Sequence, residues 1–429
     1  MGWAPGQQAK KSVFLKGKNS TVPKEGGHMK SMTPSSVKVE VSPESVPSTP
    51  SWFGEVAVIA HVFAQRGLLA AMRERVQFAR ARFGTYDTID FLVVLLGYAV
   101  SGERTIEDFY ERLQPFGLVF MGLFERAGLP SRSALSRALS AFDQPAVEAL
   151  RTLFQEDLGA CLELGQGGLS DREGERWVVA DVDATRQAAR QRALPHGPDW
   201  PAAHRRMDAV CAPGYLGRKR GEVVRSRTTV LQAHTQSCLG TFGGAGNGDY
   251  RGELLQAIKA ITFLAQTWSI PLSRILVRLD GLYGNAAPLI DLLLSGLGVV
   301  VRGREYAFLE LPAVQARLCF PPDAWTTHSE SGVQRALFDC PDLPLSPAGP
   351  TIRMIVAVHQ ATTQEAPIGM TKNGLVYEIF FTSARPEAFT PADVLHLYLH
   401  RGSFETVLAR EDQEQDPDRW ASHAPFGQE

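Results

Sequence analysis

The sequence predicts an α/β core preceded by an all-helical domain. From about Phe53 to Leu164, apolar residues recur with helical spacing, and from Trp177 onward β-branched runs alternate with helical segments. The first fifty residues, by contrast, are poor in large apolar side chains. They carry Lys10, Lys11, Lys16, Lys18, Lys24, Lys30 and Lys38 ahead of the Ser/Pro-rich TPSSVKVEVSPESVPSTPSW. That composition predicts a disordered, mildly basic tail over residues 1–50.

The totals narrow the function classes. A chain of 429 residues is long for one average domain and implies about two or three. Hydrophobic content of 44% is ample for a core, and the formal net charge of -2 means that any nucleic-acid contact must come from local basic patches. Cys161, Cys211, Cys238, Cys319 and Cys340 are scattered, with no CxxC pair. This argues against a disulfide framework or zinc finger and fits a reducing cytoplasm. The absence of a run of about eighteen apolar residues predicts no membrane span, and the N-terminus lacks the apolar core of a signal peptide.

Residues 51–165 form the expected helical, DNA-binding domain. TIDFLVVLLGYAVSG is apolar almost throughout, as in a helix buried on most sides. Thr105, with Asp108 three residues on, opens a helix in the manner of a capping box. LPSRSALSRALSAF resembles the second helix of a helix-turn-helix, capped by Ser131 and projecting Arg132 and Arg137 outward, although an ordinary amphipathic helix has the same spacing.

The α/β part opens with WVVADVDATRQ. Side chains alternate along a strand, so Asp181 and Asp183 share a face, where their charges repel unless a cation lies between them. EVVRSRTTVLQAHTQSCLGTF reads as one or two strands, RGELLQAIKAITFLAQTW as a helix, and SRILVRLDG as a strand ending at Asp280. A helix, NAAPLIDLLLSGL, and a strand, GVVVRG, follow. From Glu305 to Pro350 prolines break the rhythm, before the strands TIRMIVAVHQ and GLVYEIFFTS. Thr390, Pro391 and Asp393 provide an N-cap, a proline at the first helical position and an acid in the first turn. On that helix Tyr398, Arg401 and Glu405 fall at i, i+3 and i+7 and line one face. Asp183, Asp280 and Glu405 are then three acids on neighbouring core elements. Their hard oxygens suit Mg²⁺ or Mn²⁺, and a pair of such ions can activate a nucleophile and stabilise the leaving oxygen of a phosphodiester.

These residues also carry a resemblance. Asp183-Ala184-Thr185, VRLDGLYG and YLHRGSFE resemble, in order, the three catalytic blocks of DDE transposases of bacterial insertion sequences, the last being the Tyr-x2-Arg-x3-Glu signature. APGYLGRKRGEVVRSRTTV and GNGDYRGEL are similar to other stretches of such enzymes, so the resemblance runs from about Phe53 to the C-terminus. It implies an RNase H-like catalytic core over residues 175–304 and 374–429, interrupted by a β-rich insertion over 305–373. It makes Asp183, Asp280 and Glu405 the ligands of Mg²⁺ or Mn²⁺, and favours Asp183 over Asp181 because Thr185 follows at the right spacing. It implies double-stranded DNA as partner, both element ends and target, a homodimer on that DNA, and a cytoplasmic protein associated with the nucleoid when bound.

DNA contacts are expected from Tyr398 and Arg401 and from the basic stretch Arg186–Arg227, above all Arg218, Lys219 and Arg220. Trp325, in the polar stretch PPDAWTTHSESG, is a candidate to stack on a base flipped out of the duplex, as in some transposases of this kind; anchoring the insertion on the core is the competing role. Gly244, Gly246 and Gly248 lack the full dinucleotide fingerprint and read as a flexible turn.

Two departures stand out. Asp412 occupies the position where the signature has lysine, and the chain stops at Glu429, where the resemblance implies continuation, so a truncated C-terminal part is expected. A catalytically inactive DNA-binding remnant is therefore the alternative. A glycosyltransferase holding a nucleotide-sugar through DVD would leave Asp280 and YLHRGSFE unexplained.

Overall fold

A computed structural model describes residues 48–78, 84–162, 167–189, 212–214, 222–244, 246, 250–328, 332–361, 369–401, 404, 406–407, 422 and 425–429. These all belong to one unit, Pro47–Glu429. The basic tail up to residue 47, Arg218, Lys219, Arg220, Glu405 and Asp412 lie outside the described residues.

The expected helical region is present. It comprises α1 (Phe53–Gln65), α2 (Leu68–Arg75), α3 (Thr88–Ser101), α4 (Ile106–Leu113), α5 (Gly117–Leu123), α6 (Arg132–Ala141) and α7 (Gln144–Cys161). Local chemistry sets the starts. Asp87 and Asp90 form a capping box on α3, Thr105 accepts from the Asp108 amide, Ser131 from that of Ala134, and Asp143 from that of Ala146. Each such cap contributes about 1 kcal/mol. The TIDFLVVLLGYAVSG helix, α3, is largely buried, in a core that includes Trp52, Phe109, Leu113, Phe120 and Phe124. On α6, Leu135, Ala138 and Leu139 face inward, while Arg132 and Arg137 are exposed, Arg132 paired with Glu107.

The remaining chain builds one large mixed sheet. Its strands are β1 (Leu169–Ser170), β2 (Arg176–Ala189), β3 (Ala212–Gly214), β4 (Glu222–Gln232), β5 (Cys238–Gly244), β6 (Ile275–Leu279), β7 (Gly298–Arg302), β8 (Ala324–Thr327), β9 (Gln334–Pro344), β10 (Thr351–Gln360), β11 (Met370–Lys372) and β12 (Leu375–Thr382). The path runs β3-β4-β2-β6-β7-β12-β10-β9-β8, with β5 also on β4, β1 on β2 and β11 on β12. β2, β4 and β5 are antiparallel neighbours; β6 lies parallel to β2, and β7 parallel to β6. Helices α8 (Arg251–Thr267), α9 (Ala286–Ser295) and α10 (Pro312–Leu318) cover one face, packing on Val178, Ala180, Val182, Val277, Leu279 and Val301. Helix α11 (Pro391–Leu399) covers the other, over Val179, Leu276, Val300, Ile355 and Phe380. Thr390 and Asp393 close the expected capping box on α11.

Residues 305–373 supply β8, β9 and β10, which extend this same sheet beyond β12. The prolines of β9 do not end it. Pro341 and Pro344 lie beyond its pairing with β8, which covers only Gln334–Leu337, so their missing donors cost no bond on that side.

The turn after β6 explains the last glycine of VRLDGLYG. The Asp280 carboxylate accepts the Leu282 amide at 2.8 Å, and the Gly284 carbonyl accepts from Arg304 N at 2.9 Å. A Cβ on Gly284 would collide with the Arg302 carbonyl oxygen and come within 2.8 Å of Gly303 Cα, both backbone atoms that cannot swing aside. Gly284→Ala is expected to lose roughly 2–3 kcal/mol in urea unfolding. Gly281→Ala, whose Cβ would meet only side-chain atoms, of Arg302 at 3.4 Å and Arg304 at 3.7 Å, should lose far less. Equal losses would show that the close approach at Gly284 does not matter.

Candidate metal centre

Two carboxylates meet where one strand ends and its neighbour continues. The parallel register of β2 and β6 runs from Val178↔Ile275 to Val182↔Leu279, and the next residues on the two strands are Asp183 and Asp280. β2 does not stop at Asp183: it continues to Ala189, held extended by β4 through Asp183↔Thr229 and on to Ala189↔Val223. What ends there is β6, and its loss opens the sheet beside Asp183.

Asp181 and Asp183 share the α11 face, and each has its own guanidinium. Asp181, 2% exposed, receives Arg278 in a two-pronged pair, Nε to Oδ1 at 2.6 Å and Nη2 to Oδ2 at 2.7 Å. With both oxygens engaged and buried, Asp181 is closed to other partners. Asp183 Oδ2 lies 2.8 Å from Arg401 Nη2. The second proton on that face is held more tightly than usual: Asp280 is pushed up to about 6, mainly by burial. Arg401 opposes the shift and Asp183 adds to it, while the Leu282 amide and Arg304 pull it down less strongly.

Of the three signature residues, Tyr398 and Arg401 lie within the described residues, on either side of the end of α11, and Glu405 lies outside them. α11 stops at Leu399; Arg401 N turns back to the Tyr398 carbonyl at 3.1 Å, and Phe404 N bonds the Arg401 carbonyl at 2.9 Å. Gly402 follows Arg401 in the sequence, and glycine is a weak helix former, so propensity favours a break here. The turn carries Arg401 into the sheet, 7% exposed, where its Nε lacks a hydrogen-bond partner among the described residues and its Nη2 meets Asp183 as an ion pair without hydrogen-bond geometry. A buried guanidinium with spare donors favours an anion beside it. Tyr398 is half-buried with its ring 5.1 Å from that of Phe380. Trp325 lies on β8 at the far end of the sheet, 59% exposed, and so does not serve as a core anchor.

Arg278 is the site residue that sequence reasoning missed, though a signal existed. It is a charge inside the apolar run ILVRL, and it stands two residues before Asp280 as Asp181 stands two before Asp183. Neighbouring parallel strands with equal offsets bring the two together, and a buried charge demands such a partner.

Among the described residues no cluster of three or more His, Cys, Asp or Glu surrounds one point. Asp183 and Asp280 are a pair of hard oxygen donors; burial raises Asp280 first and the Asp183 charge adds to it, and that donor set fits a divalent cation such as Mg²⁺ or Mn²⁺.

No known family profile matches the chain, and no curated protein does. Among solved structures, the chain is similar to a piggyBac transposase in a synaptic complex with hairpin DNA, with a TM-score of 0.40, 14% identity, and 85% of this chain and 70% of that one covered. A Mos1 pre-cleavage transpososome is also similar, with a TM-score of 0.19, 11% identity, and 59% and 78% covered. These are loose likenesses of shape, and the functional reading rests on the site itself.

The Asp280 shift has a consequence for stability. From the ordinary carboxyl range near 3.9 up to about 6, the native state keeps a proton that the unfolded chain has released. Native binding of more protons makes stability fall as pH rises through that window. In metal-free buffer Asp280→Asn should therefore be more stable than the parent at pH 7.5, by on the order of 2–3 kcal/mol at most. The difference should close as pH falls to 4. A gap that persists at pH 4 would mean the substitution acts through packing rather than charge.

Proposed function

We propose that this protein is a DDE transposase of a bacterial insertion sequence, with an RNase H-like core, cutting double-stranded DNA at element ends and joining the freed 3′-OH to a target. One observation carries the reading: Asp183 and Asp280 stand side by side where neighbouring parallel strands part, as metal-dependent phosphodiester chemistry requires. The resemblance of Asp183-Ala184-Thr185, VRLDGLYG and YLHRGSFE to the three catalytic blocks supports it.

In this reading Asp183, Asp280 and Glu405 hold Mg²⁺ or Mn²⁺, which supplies the Lewis acidity that activates the attacking oxygen and stabilises the leaving one. The two aspartates reach the site from adjacent strands, so their spacing is set by the ladder. Arg401, already buried against Asp183, has spare donors for a phosphate oxygen of the bound strand. Tyr398 braces the turn that delivers it and offers a hydroxyl to the backbone. Arg218, Lys219 and Arg220 grip phosphates along the duplex, and α6 offers Arg132 and Arg137 to a groove. A homodimer on the DNA, in the cytoplasm and on the nucleoid, completes the proposal.

The test is cleavage of DNA bearing the element's own ends, with Mn²⁺ or Mg²⁺. Asp183→Asn, Asp280→Asn and Glu405→Gln should each lose on the order of 10³-fold or more in rate, because each removes a metal ligand, while binding of the same DNA is retained. Undiminished cleavage by any of them would sink the assignment. Asp412, in place of the signature lysine, favours a second reading, a DNA-binding remnant, for which the parent itself binds element ends and does not cut them.

Trp325 adds an independent check. Its exposure on β8 leaves the indole free to stack on an unpaired base, a contact worth about 1–3 kcal/mol. With 2-aminopurine placed beside the cut, fluorescence should rise on binding to the parent and rise far less with Trp325→Ala. The same signal from both proteins would assign Trp325 no part in base flipping.

A further inference from the structure

We infer that Asp181 and Arg278 are positioning residues: their buried pair fixes the end of α11 and thereby sets where Arg401 meets Asp183 beside Asp280. The inference rests on the metal-centre reading above and deepens it.

Arg278 has three engagements in two directions. Nε and Nη2 grip Asp181 on the neighbouring strand, and Nη1 donates to the Leu397 carbonyl of α11 at 2.8 Å. Leu397 lies in the last turn of α11, where carbonyls lack helical partners and the helix dipole favours a cation. One planar guanidinium thus ties β2, β6 and the end of α11 together at fixed angles. The chain leaves α11 two residues later and returns within reach of the same pair. Arg401 comes down on Asp183, and Phe404 and Val407 line the small cleft that holds Asp181 and Leu231. Glu405 falls between those last two residues in sequence.

Stability alone is a poor reason for such a pair. Exchanging a buried ion pair for apolar side chains of similar size is often neutral or stabilising, whereas removing one partner strands a charge. What the apolar exchange removes is direction: the fork on Asp181 and the bond to Leu397.

The discriminating variant is therefore the double exchange Asp181→Leu with Arg278→Met, which strands no charge. It should melt close to the parent and bind element-end DNA with unchanged affinity. Its Mn²⁺ affinity by calorimetry and its cleavage kcat should each fall by about 10–100-fold, the scale found when residues orienting metal ligands are lost. Arg278→Lys, which keeps the charge and loses the fork, provides a second arm should the double variant fail to fold; its kcat should fall while KM for DNA is unchanged. Parent-like Mn²⁺ affinity and kcat in either folded variant would overturn the inference. Asp183→Asn, measured in parallel, separates the two failures. If Asp183→Asn loses Mn²⁺ binding and the positioning variants keep it, the positioning role alone is wrong. If the parent binds no Mn²⁺, or Asp183→Asn binds it equally well, the metal centre is wrong and the positioning role falls with it.

Discussion

The arrangement of the site depends on the parallel pairing of β2 with β6. Because side chains alternate, a slip of one residue on either strand would turn its aspartates toward α8 and α9, among Val178, Ala180, Val182, Val277 and Leu279. Those apolar residues hold the register, since exposing any one of the valines or Leu279 forfeits roughly 1.5–3 kcal/mol. The core on one face thus aligns the acids on the other. The same ladder explains why Asp183 and Asp280 are neighbours although 97 residues of sequence separate Asp181 from its partner Arg278. Both pairs occupy equivalent steps, one inside the parallel ladder and one just past its end.

The two aspartates of β2 are chemically alike, and their surroundings make them different. Asp181 is enclosed by a guanidinium from a core strand, with both oxygens engaged, so its charge is permanently compensated. Asp183 accepts the Ala184 amide at 2.9 Å through Oδ1 and meets Arg401 at Oδ2, beside a second carboxylate, Asp280, that holds its proton up to about 6. A rigidly satisfied carboxylate serves the fold. Two carboxylates side by side repel each other, and a cation between them would relieve that repulsion.

Much of this was legible in sequence, and the exceptions have local causes. Helix starts were readable because Thr105, Ser131 and Thr390 act within three residues of themselves. The strands containing Asp183 and Asp280 were readable from β-branched runs. The length of β2 was not, because Arg186–Ala189 is polar and small in sequence and is held extended by β4, a tertiary effect. Nor was the end of α11: Tyr398, Arg401 and Glu405 fit a helical period, and periodicity is blind to the break after Leu399, beyond which Phe404, Thr406 and Val407 are helical again. β10 was readable as the run TIRMIVAVHQ, whereas β9 was hidden by prolines that lie where one of its sides is not paired with β8.

The helical region is fastened to this sheet rather than tethered to it. Arg151 of α7 donates to the Thr241 carbonyl at 3.2 Å and lies 5.4 Å from the ring centre of Phe242, both on β5. Glu429 sits between Arg151 and Arg225 and accepts the Gly243 amide at 3.0 Å, while Phe426 packs into the cluster of Phe142, Val147 and Leu153. One short segment therefore touches the helical region and the sheet edge together. Arg225 is almost fully buried, and Glu429 is one of the groups that meet it there. These contacts join α7 to β5 directly, so the helical region and the sheet that carries the carboxylate pair are packed together.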